Sequence, residues 1–200
     1  HNPNEKIREA NAGLVEPYQA IGDGQYVTKY GWTGEVRCLP DRLDWPLRWK
    51  QPKRILVPTL SDIFHPEVPD AFIDRIWATM ASAPRHRYLV LTKRPERMRE
   101  TWRAMALGNH PHIWPGVTVC DQEEADAKLP VLLSIPAAGH FVSIEPCLSH
   151  INVGLGWTGS PSGSSLFIIV GGENGPGARP MHPDWARSLR DQCAAANVPF

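Results

Sequence analysis

Four charged residues close four separate apolar runs of this chain: Asp62 ends "RILVPTLSD", while Lys93 lies in "RYLVLTKRP", Glu145 in "HFVSIEPCL" and Glu173 in "LFIIVGGEN". Ser61, Arg94, Gly171, Gly172, Asn174 and Arg179 stand beside them, and His65, Thr92, Asp121 and Gln122 hold similar positions. Carboxylates set among fixed cations are the groups that general acid and base catalysis uses. The same mixture can grip a zwitterionic or phosphorylated ligand, because charges taken out of water are tolerated only when matched. Asp62, Lys93, Glu145 and Glu173 therefore form the candidate catalytic set. Ser61, Arg94, Gly171, Gly172, Asn174 and Arg179 form the candidate cofactor-binding set. A plainer reading stands beside this one, in which Asp62 caps a turn and Glu145 makes a structural ion pair with Lys93 or Arg94.

The stretch "VGGENGPGARPMHPDW", Val170 to Trp185, reads as strand end, glycine-rich loop and helix start. Its glycines allow a close backbone approach or a positive φ. The loop lacks the G-x-G-x-x-G spacing, and no G-x-x-x-x-G-K-[ST] occurs anywhere, so neither dinucleotide-fold nor P-loop phosphate binding is indicated. The eight histidines form no H-x-x-x-H or H-E-x-x-H pair, and no metal ligands are assigned.

The elements that would position these groups recur along the chain. Five near-continuous apolar runs, at 54–62, 87–95, 114–122, 140–148 and 166–174, read as parallel strands buried on both faces. Phe72, Ile73, Ile76, Trp77 and Met80 fall on one helical face after Pro69 and Asp70; Met98, Trp102 and Met105 do so after Pro95, and Trp185, Leu189 and Cys193 after Pro183. Pro130 interrupts the connection 123–139, which reads as two short helices. Repeated βα units give an α/β fold, either a (β/α) barrel or an open doubly wound sheet. In a barrel, the strand ends share one mouth. Residues 54–200 carry the five units of one domain, and residues 1–53 read as a lead-in helix, "NEKIREANAGL", followed by an irregular segment.

At 200 residues with 42% hydrophobic content, the chain suffices for one core. No apolar run is long enough to span a bilayer. Lys plus Arg and Asp plus Glu number 21 each, so no net field attracts nucleic acid. The basic cluster Arg85, Arg87, Lys93, Arg94, Arg97, Arg99 and Arg103 reads as a solvated helix face ahead of a nucleic-acid track. Cys38, Cys120, Cys147 and Cys193 are scattered, which suits a reduced, cytoplasmic chain.

The blocks "SDIFHPEVPDAFIDRIWATMASAPRHRYLVLTKRPERM", "GVTVCDQEEADAKLPVLLSIPAAGHFVSIEPCL" and "IIVGGENGPGARPMHPDWARSLRDQCAAANVPF" resemble an uncharacterised phage-borne family, the gene-product thirty-seven/sixty-eight proteins. Relatives of that kind open with a three-cysteine motif spaced like that of radical S-adenosylmethionine enzymes. The resemblance implies a partial (β/α) barrel of parallel strands, a 4Fe-4S cluster and S-adenosylmethionine. No three-cysteine cluster occurs in residues 1–200, a departure from the family's pattern: either that segment lies ahead of His1, the preferred expectation, or this member has no cluster. On this view Ser61 and Asp62 accept from the cofactor's amino group, Lys93 or Arg94 holds its carboxylate, and the loop Gly171–Gly177 passes its adenosyl part. Three functions stay open: a radical S-adenosylmethionine-like enzyme acting on a nucleotide or nucleic acid, a metal-free barrel enzyme acting on a phosphorylated small molecule, and a nucleic-acid-binding or adaptor protein.

Overall fold

The computed structural model describes residues 36–58, 61–105, 110–154 and 165–200, together with the backbone of two short strands, β1 (Gln19–Ala20) and β2 (Tyr30–Gly31), which pair antiparallel. The lead-in helix expected over "NEKIREANAGL" lies outside the described residues. A turn of 3-10 helix (Pro40–Arg42) and the short α1 (Trp45–Arg48) precede the main sheet. That sheet contains β3 (Arg54–Val57), β4 (Arg87–Thr92), β5 (Ile113–Thr118), β6 (Gly139–Ile144) and β7 (Ser165–Val170). Its five strands are all parallel and lie side by side in chain order.

Helices α2 (Asp70–Ser82), α3 (Pro95–Ala104), α4 (Gln122–Leu133) and α5 (Pro183–Ala195) complete the units. Pro95 and Pro183 sit in the first turns, where a missing N–H costs nothing. The 123–139 connection holds one helix and not two. Asp121 caps it by accepting from the Glu124 amide at 2.9 Å, and Glu124 reaches back to the Cys120 amide at 2.8 Å. Pro130 is carried inside this helix because Ala125, Leu129 and Leu132 are buried with the core, and packing outweighs the lost backbone bond. After β6 no helix occurs among the described residues 145–154, and residues 155–164 of that connection lie outside the described residues.

Side chains alternate across a strand with period two, and the registers align that alternation across all five strands. One face carries Tyr88, Val90, Ile113, Val117, Val142, Ile144 and Ile168, which join the core with Trp77, Met98, Trp102, Leu132 and Leu189 of the helices. The opposite face carries Leu56, Leu89, Trp114, Phe141, Phe167 and Ile169, none of which belongs to that core. Burial on both faces therefore holds for β6 but not for the outer strands, where Leu56 and Ile169 are each 39% exposed. On this second face, Phe141 stacks on Phe167 with ring centroids 5.4 Å apart, and Arg87 lies 4.5 Å over Trp114.

Two glycines make that aromatic layer fit. A Cβ on Gly116 would fall 2.2 Å from the Phe141 ring, and one on Gly139 would fall 2.3 Å from Trp114. Phe141 is fully buried and pinned by Phe167, so it cannot swing away. Gly116→Ala should accordingly cost about 1–3 kcal/mol in urea unfolding, the usual penalty for an overfilled core. The double variant Gly116→Ala/Phe141→Leu should recover part of that loss; a Gly116→Ala protein as stable as the parent would show that the two strands are not in this register.

Candidate functional site

Asp62 lies just past the end of β3 and is held from four directions. Its carboxylate accepts from the Thr92 hydroxyl at 2.8 and 2.9 Å, the Phe64 amide at 2.9 Å, the Lys93 amide at 3.2 Å and Arg94 Nη1 at 2.8 Å. A carboxylate offers about four lone-pair sites, so this one is full. Thr92, whose side chain shares the sheet face of Val90, in turn accepts from the Arg94 amide at 2.9 Å. The group is a fastener between the ends of β3 and β4, and the pairing of Arg94 falls to Asp62 and not to Glu145.

Along the same edge, the ends of β5, β6 and β7 are stitched by their backbones. The Leu148 amide donates to the Cys120 carbonyl at 2.9 Å, and the Cys147 amide donates to the Gly171 carbonyl at 2.8 Å. Glu145 is exposed, and its carboxyl group lies against Gly171, 3.0 Å from where a Cβ would stand. A Cβ at 171 would displace this flexible carboxyl end by a few tenths of an ångström. Glu173 closes the following loop on Arg179: the guanidinium donates to both carboxylate oxygens at 2.8 and 2.7 Å, and the Arg179 amide adds a third bond at 2.7 Å. These bonds hold the Glu173 carboxyl at about 2, ionised throughout the physiological range. Gly175 and Gly177 turn the loop with φ of 101° and 80°.

Lys93 acts on the thiol of Cys120, the second residue beyond β5. Burial pushes that thiol up, the Glu124 carboxylate pushes it further, and the Lys93 ammonium pulls the other way. Arg179 is itself raised, first by its bond to Glu173 and to a smaller degree by Cys120. Glu124 is biased upward by its burial, but its bonds to Lys128 and to the Cys120 amide outweigh that and hold it below the usual carboxylate range. The Lys128–Glu124 pair measures 2.8 Å. Among the described residues no hydrogen bond or ion pair holds the Lys93 ammonium or the Glu145 carboxylate.

A cavity of about 850 Å³ opens beside this edge, between β3, α2 and the segment 36–46. Ser61, Asp62, Lys93 and Arg94 lie on its polar side, whereas Glu145, Glu173, Gly171, Gly172, Asn174 and Arg179 are not part of its wall. The ten expected site residues are thus divided between the cavity and the β6–β7 end of the sheet, and Asn174 is an exposed loop residue. Sequence reasoning missed Cys120 and Tyr88. Cys120 was legible from its place directly after an apolar run; Tyr88 offered no signal, because its neighbours in the cavity come from α2 and the segment before β3.

The basic cluster is not one solvated helix face. Arg85 donates to the carbonyls of Trp49, Pro46 and Leu47, and Arg97 to those of His65 and Val68 as well as to Asp70. These arginines tie loops together, because the guanidinium fork can serve several backbone carbonyls at once. No group of three His, Cys, Asp or Glu able to hold a metal ion occurs among the described residues. Cys147 is buried with its thiol on the Ser149 carbonyl at 3.4 Å. The described residues therefore do not supply ligands for an iron-sulfur cluster. S-adenosylmethionine fits only in part: Asp62 is already saturated and cannot accept from its ammonium, while Lys93 remains open to its carboxylate.

The family described as "Protein of unknown function (DUF5131)" matches residues 10–200. The chain belongs to that family. No curated protein and no solved structure matches it. The DUF5131 match contains every strand of the parallel sheet and the whole carboxyl edge. No helix among the described residues is long and apolar enough to cross a membrane.

Burial first, and then the charges around it, set the reactivity of Cys120. A thiol raised above its ordinary value of 9.0 is protonated at neutral pH and alkylates slowly. Lys93→Met removes the larger of two lowering influences, Lys128 being the other, and should slow alkylation at pH 8, whereas Glu124→Gln should accelerate it; each change should be a few-fold. Peptide mapping of iodoacetamide-labelled protein reads both rates. Equal rates in all three proteins would separate Cys120 from both side chains.

Proposed function

We propose that this chain is the core of a partial (β/α) barrel enzyme that binds an anionic small molecule, of nucleotide or S-adenosyl type, at the carboxyl edge of its sheet. The observation carrying this reading is the convergence there of unmatched groups from different strands. Lys93 follows β4, Cys120, whose thiol feels the Lys93 charge, follows β5, and Glu145 follows β6. Structural ion pairs are already accounted for in Asp62–Arg94 and Glu173–Arg179. A cation and a carboxylate left without partners at a strand end are the groups that ligand binding would use.

The barrel reading is supported by parallel strands in unbroken chain order and by helices packed on one face only, with a second apolar face left for an interior. Lys93 supplies a cation for a phosphate or carboxylate. Glu145, held against Gly171 and free of other partners among the described residues, is placed to take or give a proton. Cys120 stays a neutral thiol near Lys93. The resemblance in the long sequence blocks makes S-adenosylmethionine the first ligand to try; a bound cluster would add reductive cleavage chemistry, and no step is assigned to it.

Calorimetry with S-adenosylmethionine and with adenosine monophosphate tests the reading. One of them should bind, and Lys93→Met should weaken it by about tenfold or more, the usual loss of a charged hydrogen bond. The same variant should change stability by less than about 0.5 kcal/mol, because the ammonium has no partner to lose. Binding of neither ligand, or equal binding by Lys93→Met, would sink the proposal.

A further inference from the structure

The second face of the sheet is apolar through its middle and turns polar just below the carboxyl edge. Thr118 on β5 and Ser143 on β6 stand there side by side as register partners, in the row after Gly116 and Phe141. Each is only 5% exposed, yet among the described residues neither hydroxyl has a hydrogen-bond partner; the Thr118 carbonyl, not its hydroxyl, takes Lys128 Nζ at 3.2 Å. Neither oxygen is sealed off as the unpaired Tyr88 hydroxyl is, and Thr118 lines the cavity of about 850 Å³. Polar side chains so deeply buried are normally satisfied, and those that are not point to water or a bound group. Valine and alanine would fill the same places without the cost of taking a hydroxyl out of water.

Lys93 completes the row. The β4–β5 register runs to Thr92 opposite Val117, so the next residue, Lys93, comes level with Thr118, and both line the cavity. We infer that Lys93, Thr118 and Ser143 form a subsite for the phosphoryl group of a nucleotide or other phosphate ester. Neighbouring strands lie roughly 4.8 Å apart, so donors from three of them can meet a tetrahedral head with one hydrogen bond for each terminal oxygen. A phosphoryl dianion only accepts, which suits an ammonium and two hydroxyls. Leu91, Phe141 and Phe167 belong to the row beneath, and an apolar floor strengthens hydrogen bonds to a charged head by keeping water from that side. Of the carboxylates at this edge, Asp62 is matched by Arg94, and Glu145, two residues beyond Ser143, has its carboxyl group against Gly171 on the β7 side. For Lys93 this rests on the carboxyl-edge reading; the hydroxyl pair is an observation of its own.

Calorimetry on the full 200-residue chain with adenosine monophosphate and with adenosine tests the subsite. The monophosphate should bind at least tenfold more tightly, and Thr118→Val and Ser143→Ala should each weaken it about tenfold, the loss of one hydrogen bond to a charged group, while adenosine binding stays as it was. Thr118→Ser, which keeps the hydroxyl, should retain the parent's affinity. Thr118→Val breaks no hydrogen bond within the described residues and should unfold in urea no earlier than the parent; should it fail to fold by circular dichroism, Ser143→Ala carries the same comparison. Equal binding of adenosine and its monophosphate overturns the subsite, as does full affinity for the monophosphate in both hydroxyl-deleted variants, or an equal loss of adenosine binding in them. If S-adenosylmethionine alone binds the parent and is lost in Lys93→Met, the phosphoryl subsite is wrong and the carboxyl-edge reading stands; if no ligand binds, both fall.

Discussion

Parallel strands laid down in chain order impose one constraint on everything else in this protein. Each connection must travel back over the sheet to start the next strand at the same end, and here the helices that do so pack on one face. The period-two alternation of side chains then divides every strand into a half that builds the core and a half that does not. Val90 and Leu89 are neighbours in sequence, yet only Val90 belongs to the helical core. The same geometry sends every strand end to one edge, so residues such as Asp62 and Thr92, thirty positions apart, become neighbours without any local signal.

At that edge the charges fall into two kinds. Asp62 and Glu173 are surrounded by donors and fasten loops to strands: Asp62 ties the turn after β3 to the start of α3, and Glu173 clips its own loop shut through Arg179. Lys93 and Glu145 are not engaged in this way. The distinction is chemical, since a saturated carboxylate has no lone pair to offer a ligand or a proton, whereas an unsaturated one has. What fastens the loops and what stays unpaired among the described residues are therefore different members of the same row of strand ends.

The strands and three of the helices could be read directly from sequence, because their signals are local. Runs such as "RYLVLT" and "LFIIV" have no other reading of similar quality, and the prolines at 69, 95 and 183 mark helix starts. Pro130 misled, since its penalty is local while the burial of Leu129 and Leu132 that overrides it is tertiary. The roles of the strand-end residues were less legible. Asp62 and Lys93 look equivalent in a list of polar residues, and only the placement of Thr92, Phe64 and Arg94 shows that one is occupied and the other open. The arginines at 85 and 97 suggest a charged surface because sequence does not show which loop carbonyls lie within reach.

The outer strands also have edges, and the chain treats them with unequal care. On β7, the Ile168 amide donates to the carbonyl of Pro199 at 3.0 Å, so residues that turn back after α5 occupy a site where another strand would dock. β3 is short, only Arg54–Val57, and is bracketed by Pro52 and Pro58, which cannot donate to a ladder. Sheets recruit foreign strands through long, regular rows of free amide groups, and this one offers neither length nor regularity at its two ends. Its apolar second face can thus stay partly open without the sheet becoming a template for polymerisation.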